Sequence, residues 1–248
     1  MPPLVPIEIR SVFVLGSTSF IAKALCRELA RRGCHRFHLV ARNDEANQQL
    51  ANELQQRYGA AVSTEQTDLL ADAGSQSGPR SEVGEFDLYL ITAGSLGDAE
   101  LACMDAAEAL RITSANYVGL IPWLTAITIP ERLARSGRLW VFSSVAADRG
   151  RPSNYHYGAA KAALTTFCEG LLLRCHGKPF AVRIIKAGFM ATPMTVGKLP
   201  PVLCASPDSV ARDLLRRLNR RGIEYLPWWW LPLMWLVRLL PAPIASML

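Results

Sequence analysis

Ser11-Val-Phe-Val-Leu15-Gly16-Ser-Thr-Ser-Phe20-Ile-Ala-Lys-Ala-Leu25 decides the fold. An apolar run rich in β-branched and aromatic side chains ends in a glycine, and apolar residues resume behind it at helical spacing through Leu29 and Ala30, so the segment reads as strand, tight turn, helix. At such a turn backbone N–H groups and the positive helix end can hold a pyrophosphate; a glycine there also serves plain turn geometry. The pattern recurs outward from this unit. Strands are expected at 37–41, 60–65, 86–92, 138–143 and 180–186, with helices over 45–58, from 99, from 112 to about 130, and over 154–175. Repeated strand and helix units predict an α/β protein, a doubly wound parallel sheet in three layers with helices on both faces. Its ligands belong at the carboxyl ends of the strands.

The chain has 248 residues, half of them hydrophobic and 19% charged, enough for a large core without disulfides or metal. Cys26, Cys34, Cys103, Cys168, Cys175 and Cys204 include no Cys-x-x-Cys and no zinc-finger spacing. They read as buried thiols of a cytoplasmic protein, and no metal site is expected. A net charge of +6 permits attraction to phosphates or anionic surfaces; nothing in the sequence points to nucleic acid.

Three groups of residues carry chemistry. Arg42 follows the second strand, where an acidic side chain would bind the ribose hydroxyls of NAD and an arginine instead pairs with the additional phosphate of NADP. Tyr157 and Lys161 stand four residues apart and so on one helix face, where a cation favours the phenolate form of a phenol that would otherwise titrate near 10. Ser144, at the end of the strand before that helix, can donate a hydrogen bond to a carbonyl oxygen. Taken singly, each has a plainer reading: a solvated arginine, an amphipathic pair, a helix cap.

Together these residues resemble the short-chain dehydrogenase/reductase family, over a region from about Arg10 to Arg221. Tyr157 and Lys161 match its Tyr-x-x-x-Lys motif, and Ser144 lies thirteen positions before the tyrosine. The resemblance implies a Rossmann-like fold, NADP(H) as cofactor, and Ser144, Tyr157, Lys161 and Asn116 as catalytic residues, Asn116 holding a water of a proton relay. It also implies a nucleotide site made of Gly16, Ser17, Thr18, Phe20, Ile21, Arg42, Asp68, Leu69, Ala93, Gly94, Tyr157, Lys161, Gly188 and Thr192. Asp68 would meet the adenine, and Gly188 and Thr192 the nicotinamide carboxamide. The sequence departs from the family pattern at Phe20 and Ala22, where glycines are usual, at Thr92 in place of asparagine, and at Ala187 in place of proline. The family often forms dimers or tetramers, so a homodimer or homotetramer is expected.

A narrower likeness rests on Gly16-Ser-Thr-Ser-Phe-Ile-Ala22, Gly94-Ser-Leu-Gly-Asp98, Gly188-Phe-Met-Ala-Thr-Pro-Met194 and a Trp- and Pro-rich tail. These are similar to the branch that reduces decaprenylphosphoryl 2-keto-erythro-pentose, which implies a keto sugar on a polyprenyl phosphate as substrate. The tail divides the chain into a catalytic domain, 1–224, and a segment, 225–248, that contains four tryptophans. Sixteen residues between Tyr225 and Leu240, interrupted by Pro232, fall short of the ~20 a membrane-spanning helix needs. Indoles suit the membrane interface, and Arg212, Arg216, Arg217, Arg220 and Arg221 could face lipid phosphates beside them, at the inner face of the membrane. The tail could equally cover a substrate pocket or a subunit contact. The expected function is an NADPH-dependent ketone reductase of such a lipid-linked sugar; the alternatives are a generic reductase of soluble carbonyls and a nucleotide-binding regulator without turnover.

Overall fold

The computed structural model describes residues 8–72, 83–191 and 204–247. Its strands are β1 (Ser11–Leu15), β2 (Arg36–Ala41), β3 (Ala61–Gln66), β4 (Leu88–Ile91), β5 (Gly137–Ser144), β6 (Phe180–Ala187) and β7 (Gly222–Leu226). The helices are α1 (Phe20–Arg31), α2 (Asp44–Tyr58), α3 (Leu69–Asp72), α4 (Ala99–Ala102), α5 (Ala106–Asn116), α6 (Ile121–Ile127), α7 (Pro130–Leu133), α8 (Tyr155–Arg174), α9 (Pro207–Arg216), α10 (Trp230–Leu239) and α11 (Ala242–Ala245). The strands form one parallel sheet in the order β3-β2-β1-β4-β5-β6-β7. The order reverses between β1 and β4, and this crevice is where a doubly wound sheet takes its ligand.

Both faces of the sheet are covered, which is why the central strands are apolar throughout rather than alternating. Val12, Val14, Leu90, Trp140 and Ile185 pack on one side with Ile21, Leu25 and Leu29 of α1, Leu50 and Leu54 of α2 and Leu214 of α9. Phe13, Tyr89, Val141, Val182 and Ile184 pack on the other with Trp123 and Leu124 of α6 and Leu164 and Cys168 of α8. Cys26, Cys34, Cys168 and Cys175 are buried thiols as expected, but Cys103 is exposed and Cys204 half-buried.

The seventh strand is the main departure from the sequence reading. β7 pairs with β6 from Gly222 to Leu226 and carries the sheet across the boundary drawn between residues 224 and 225. It is held by a buried charge cluster. Arg183 of β6, fully buried, donates from Nε and Nη2 to Glu224 of β7 at 2.8 and 2.5 Å and from Nη1 to the Leu214 carbonyl at 3.1 Å. Arg217 and Arg220 add ion pairs to the same carboxylate. Two arginines of the basic cluster are therefore tied to β7 itself. The arginines precede the amino end of β7, where Arg221 donates to the carbonyls of Lys178 and Pro179, while the tail leaves its carboxyl end, about 15 Å away at ~3.3 Å per residue.

Breaking a buried pair leaves an uncompensated charge and costs more than the pair itself contributes. Glu224→Gln is expected to lower the unfolding free energy by about 3–5 kcal/mol, measured by urea denaturation at neutral pH. The double variant Arg183→Met, Glu224→Leu should recover most of that loss.

Candidate active site

A cavity of about 870 Å³ opens along the carboxyl ends of β1, β2, β4, β5 and β6. Gly16, at the end of β1, adopts φ +90°, and a Cβ there would lie 2.4 Å from the Ala93 nitrogen. Glycine is required on both counts: the left-handed backbone and the contact between the β1 and β4 ends. Thr92 supports this contact, its hydroxyl lying 3.1 Å from the Leu15 carbonyl and 2.9 Å from that of Gly16, so the residue that replaces asparagine closes the crevice. Ser19 caps α1 by accepting from the Ala22 N–H at 3.2 Å. This cap leaves the Phe20 and Ile21 amides at the open helix end, where no intrahelical acceptor exists. Phe20 occupies the first position of the helix with a negative φ and an exposed ring, which accommodates the missing glycine without strain.

Most of the expected nucleotide residues line this cavity: Gly16, Thr18, Phe20, Ile21, Arg42, Asp68, Leu69, Ala93, Gly94, Tyr157, Lys161 and Gly188. Ser17 does not. Its side chain is fully buried and its hydroxyl donates to Asn47 Oδ1 at 2.6 Å, while its amide donates to the Val40 carbonyl at 3.2 Å. Ser17 fastens the loop to β2 and α2 and offers no group to a nucleotide. Asp68 accepts from the Leu70 amide at 3.1 Å and so also starts α3. Thr192 lies outside the described residues.

At the other end stand Ser144, Tyr157 and Lys161. Ser144 closes β5, and its Oγ accepts from the Ala146 amide at 3.1 Å. Ser143, one residue earlier and pointing to the opposite face, bonds Thr165 of α8 at 2.6 Å and clamps that helix on the strand. The clamp sets Tyr157 beside Ser144. Burial pushes the Tyr157 phenol up, opposed by the hydrogen bond to Ser144 and by the charge of Arg151. Lys161 is 4% exposed. Its Nζ donates to the Phe142 carbonyl at 3.2 Å and lies 5.9 Å from the Tyr157 ring centroid, and burial brings its pKa down to about 8. Gly94 makes room for it: a Cβ there would lie 2.6 Å from Asn116 Oδ1 and 3.0 Å from Lys161 Nζ. Asn116 donates to the carbonyls of Ser95 and Ile112 at 2.6 and 2.8 Å and accepts from the Ser95 amide at 3.2 Å. Both donors of its amide are taken, so a relay water could use only oxygen atoms of this residue.

Tyr155, two residues from Tyr157, points elsewhere: it is exposed and donates to Cys103 Sγ at 3.3 Å. Arg151 escaped the sequence reading, and Trp230 entered it only as one of the tail tryptophans. Arg151 lines the cavity next to the tyrosine. Trp230 of the tail is buried against Gly188, where a Cβ would lie 1.9 Å from its indole nitrogen. The tail helix α10 is fixed to the loop that follows Ser144: Arg149 donates to the Arg238 carbonyl at 2.6 Å, and Arg238 donates to that of Asp148 at 3.2 Å. Asp148 in turn accepts from Lys186 and from the Tyr225 hydroxyl.

Residues 10–201 match the family model described as short chain dehydrogenase. The chain belongs to the short-chain dehydrogenase family. Among relatives of this short-chain dehydrogenase, an uncharacterized oxidoreductase of Mycobacterium tuberculosis is 36% identical over 236 residues, 93% of each chain. A 3-oxoacyl-(acyl-carrier-protein) reductase of Chlamydia muridarum is 28% identical over 191 residues, 76% of this chain and 77% of the relative. Among solved structures, a short-chain dehydrogenase from Sphingobium yanoikuyae in complex with NADPH superposes with a TM-score of 0.71 at 22% identity, covering 88% of each chain. A 3-oxoacyl-(acyl-carrier protein) reductase from Brucella melitensis with bound NAD gives 0.69 at 23% identity, covering 86% of this chain and 85% of that one. The fold of this dehydrogenase is thus shared with proteins that hold either nicotinamide nucleotide.

The two tyrosines separate cleanly by variant. Tyr157→Phe should lower the dehydrogenase turnover by about 10²–10⁴ while the fold, followed by circular dichroism, is unchanged. Tyr155→Phe should leave turnover within twofold of the parent.

Proposed function

We propose that this oxidoreductase is an NADPH-dependent ketone reductase and that its substrate is a keto sugar carried on a polyprenyl phosphate. The observation that carries the reading is the convergence of Ser144, Tyr157 and Lys161 on one wall of a cavity whose far end holds Arg42. The cavity fits the cofactor chemically. The open end of α1 faces the place of the pyrophosphate, Arg42 can pair with the additional phosphate of NADP, and no acidic side chain stands at that position.

When bound, the nicotinamide supplies the hydride that the carbonyl carbon takes up. Ser144 donates to the carbonyl oxygen and stabilises its developing charge. Tyr157 hands its proton to that oxygen, and the positive charges of Arg151 and Lys161 favour the phenolate left behind. Lys161 also holds the nicotinamide ribose, and Asn116 fixes α5 against the lysine and supports proton resupply.

The tail supports a lipid-linked substrate. Trp230 and Met234 of α10 are buried against Val145 and Phe189, both of which line the cavity. Trp228, Leu231, Trp235, Leu236 and Leu239 are exposed, Trp228 at 75% and Leu239 at 64%. Among the described residues no helix is long and apolar enough to cross a membrane. In this reading the protein is cytoplasmic, a homodimer or homotetramer, and rests peripherally on the inner face of the membrane through residues 225–248, delivering the long-chain ketone to the 1–224 catalytic domain.

The test is consumption of NADPH and of NADH with a panel of lipid-linked and soluble ketones. The reading predicts turnover of the polyprenyl-phosphate keto sugar above that of any short soluble ketone, with a preference for NADPH that Arg42→Ala largely erases, the charge-assisted bonds contributing about 1.5–3 kcal/mol. Equal turnover of soluble acyl ketones would instead mark a generic reductase. Nucleotide binding without turnover would mark a regulator.

A further inference from the structure

Arg151 lies between the end of β5 and the start of α8, on the wall of the cavity that carries Ser144 and Tyr157. It is half-buried, and its Nε is shielded from solvent without a hydrogen-bond partner among the described residues. Burial draws its pKa down, opposed by Tyr157 and Asp148. Neither neutralises it. The two carboxylate oxygens of Asp148 already accept from Lys186 and from Tyr225, and the phenol of Tyr157 is neutral until it gives up its proton. Among the described residues the one carboxylate that lines the cavity is Asp68, which stands beyond β3 at the opposite end.

The same protein shows what a structural buried arginine looks like. Arg183 has a carboxylate on two of its nitrogens and a carbonyl on the third. A guanidinium whose Nε is shielded from water without such a partner is costly to hold there, and its planar fork matches a carboxylate or a phosphate in two parallel hydrogen bonds. Arg151 stands toward the catalytic end of the cavity: Arg42 follows β2 and Arg151 follows β5, strands three steps apart, or about 14 Å at ~4.8 Å per step. Gly16 follows β1, two steps from β5.

We infer that Arg151 recognises an anionic group on the substrate, a carboxylate or phosphate borne close to the ketone that Ser144 and Tyr157 hold. The inference rests on the ketone-reductase reading and narrows its substrate. A 2-keto sugar phosphorylated on the neighbouring carbon meets the requirement, as does a 2-oxo acid. A 3-oxoacyl thioester, with no anion beside its keto group, does not.

The test compares matched ketones on the full chain: dihydroxyacetone phosphate against dihydroxyacetone, and pyruvate against pyruvamide, with NADPH. The ratio of kcat/KM for the anionic over the neutral member should fall about 10–100-fold in Arg151→Gln and less in Arg151→Lys, which keeps the charge without the fork. The pair that responds identifies the anion as phosphate or carboxylate. A ratio unchanged in both pairs would overturn the inference. A second arm needs no turnover: with NADPH already bound, the affinity for glycerol 3-phosphate and for lactate, read from nicotinamide fluorescence, should weaken about tenfold for one of them in Arg151→Gln. If no ketone is reduced yet this affinity falls, the reductase reading fails while the anion site stands; equal affinities in parent and variant would contradict the site itself.

Discussion

A cationic side chain has to be kept out of water where β4, β5, α5 and α8 meet, and the candidate active site is arranged around that requirement. Lys161 is buried, with a single backbone carbonyl among the described residues accepting from its Nζ, and its pKa falls to about 8 because the charged form is poorly solvated there. Its surroundings follow from this. Residue 94 has to be glycine, since any Cβ would press on Lys161 and Asn116. Asn116 has to fix the end of α5 through Ser95 and Ile112, and Ser143 has to pin α8 through Thr165. Asn116, Ser143 and Thr165 all find partners, which is the condition under which a buried polar network rigidifies a site rather than weakening it.

The rest of the architecture delivers reactants to that point. Contact between Gly16 and Ala93 brings the ends of β1 and β4 together at the reversal of strand order, and the open turn of α1 faces the cavity from there. Beyond β5, the loop of Ser144 to Arg151 is tied to the tail through Arg149, Asp148 and Arg238. Trp230 packs behind Gly188. The C-terminal segment therefore packs on the loop that follows Ser144, and its buried residues Trp230 and Met234 meet Val145 and Phe189 of the cavity wall.

What the sequence made legible was local. Strand, glycine turn and capped helix are written in consecutive residues, and Tyr157 and Lys161 lie one helical turn apart, so their common face needs no tertiary knowledge. β7 was hidden because its five residues carry a glutamate at the centre, which becomes acceptable inside a sheet once the fold brings the distant Arg183 against it, with Arg217 and Arg220 beside. Ser17 was misplaced for the reverse reason: a hydroxyl in a phosphate-type loop looks available until α2 supplies Asn47 to bind it. Arg151 and Trp230 belong to no local pattern. Their roles depend on which groups the fold brings near them, and for Arg151 on which groups it withholds.

The central claim is that the cavity holds a nicotinamide nucleotide with its reactive ring against Ser144 and Tyr157, where a ketone is reduced. The most direct measurement follows an isotope. With NADPH carrying deuterium at both C4 positions of the nicotinamide and a ketone that the protein accepts, the account predicts an alcohol bearing one deuterium on the carbinol carbon, in amounts equal to the NADPH oxidised. An alcohol formed without the label, or NADPH bound and left unoxidised beside every ketone offered, would contradict it.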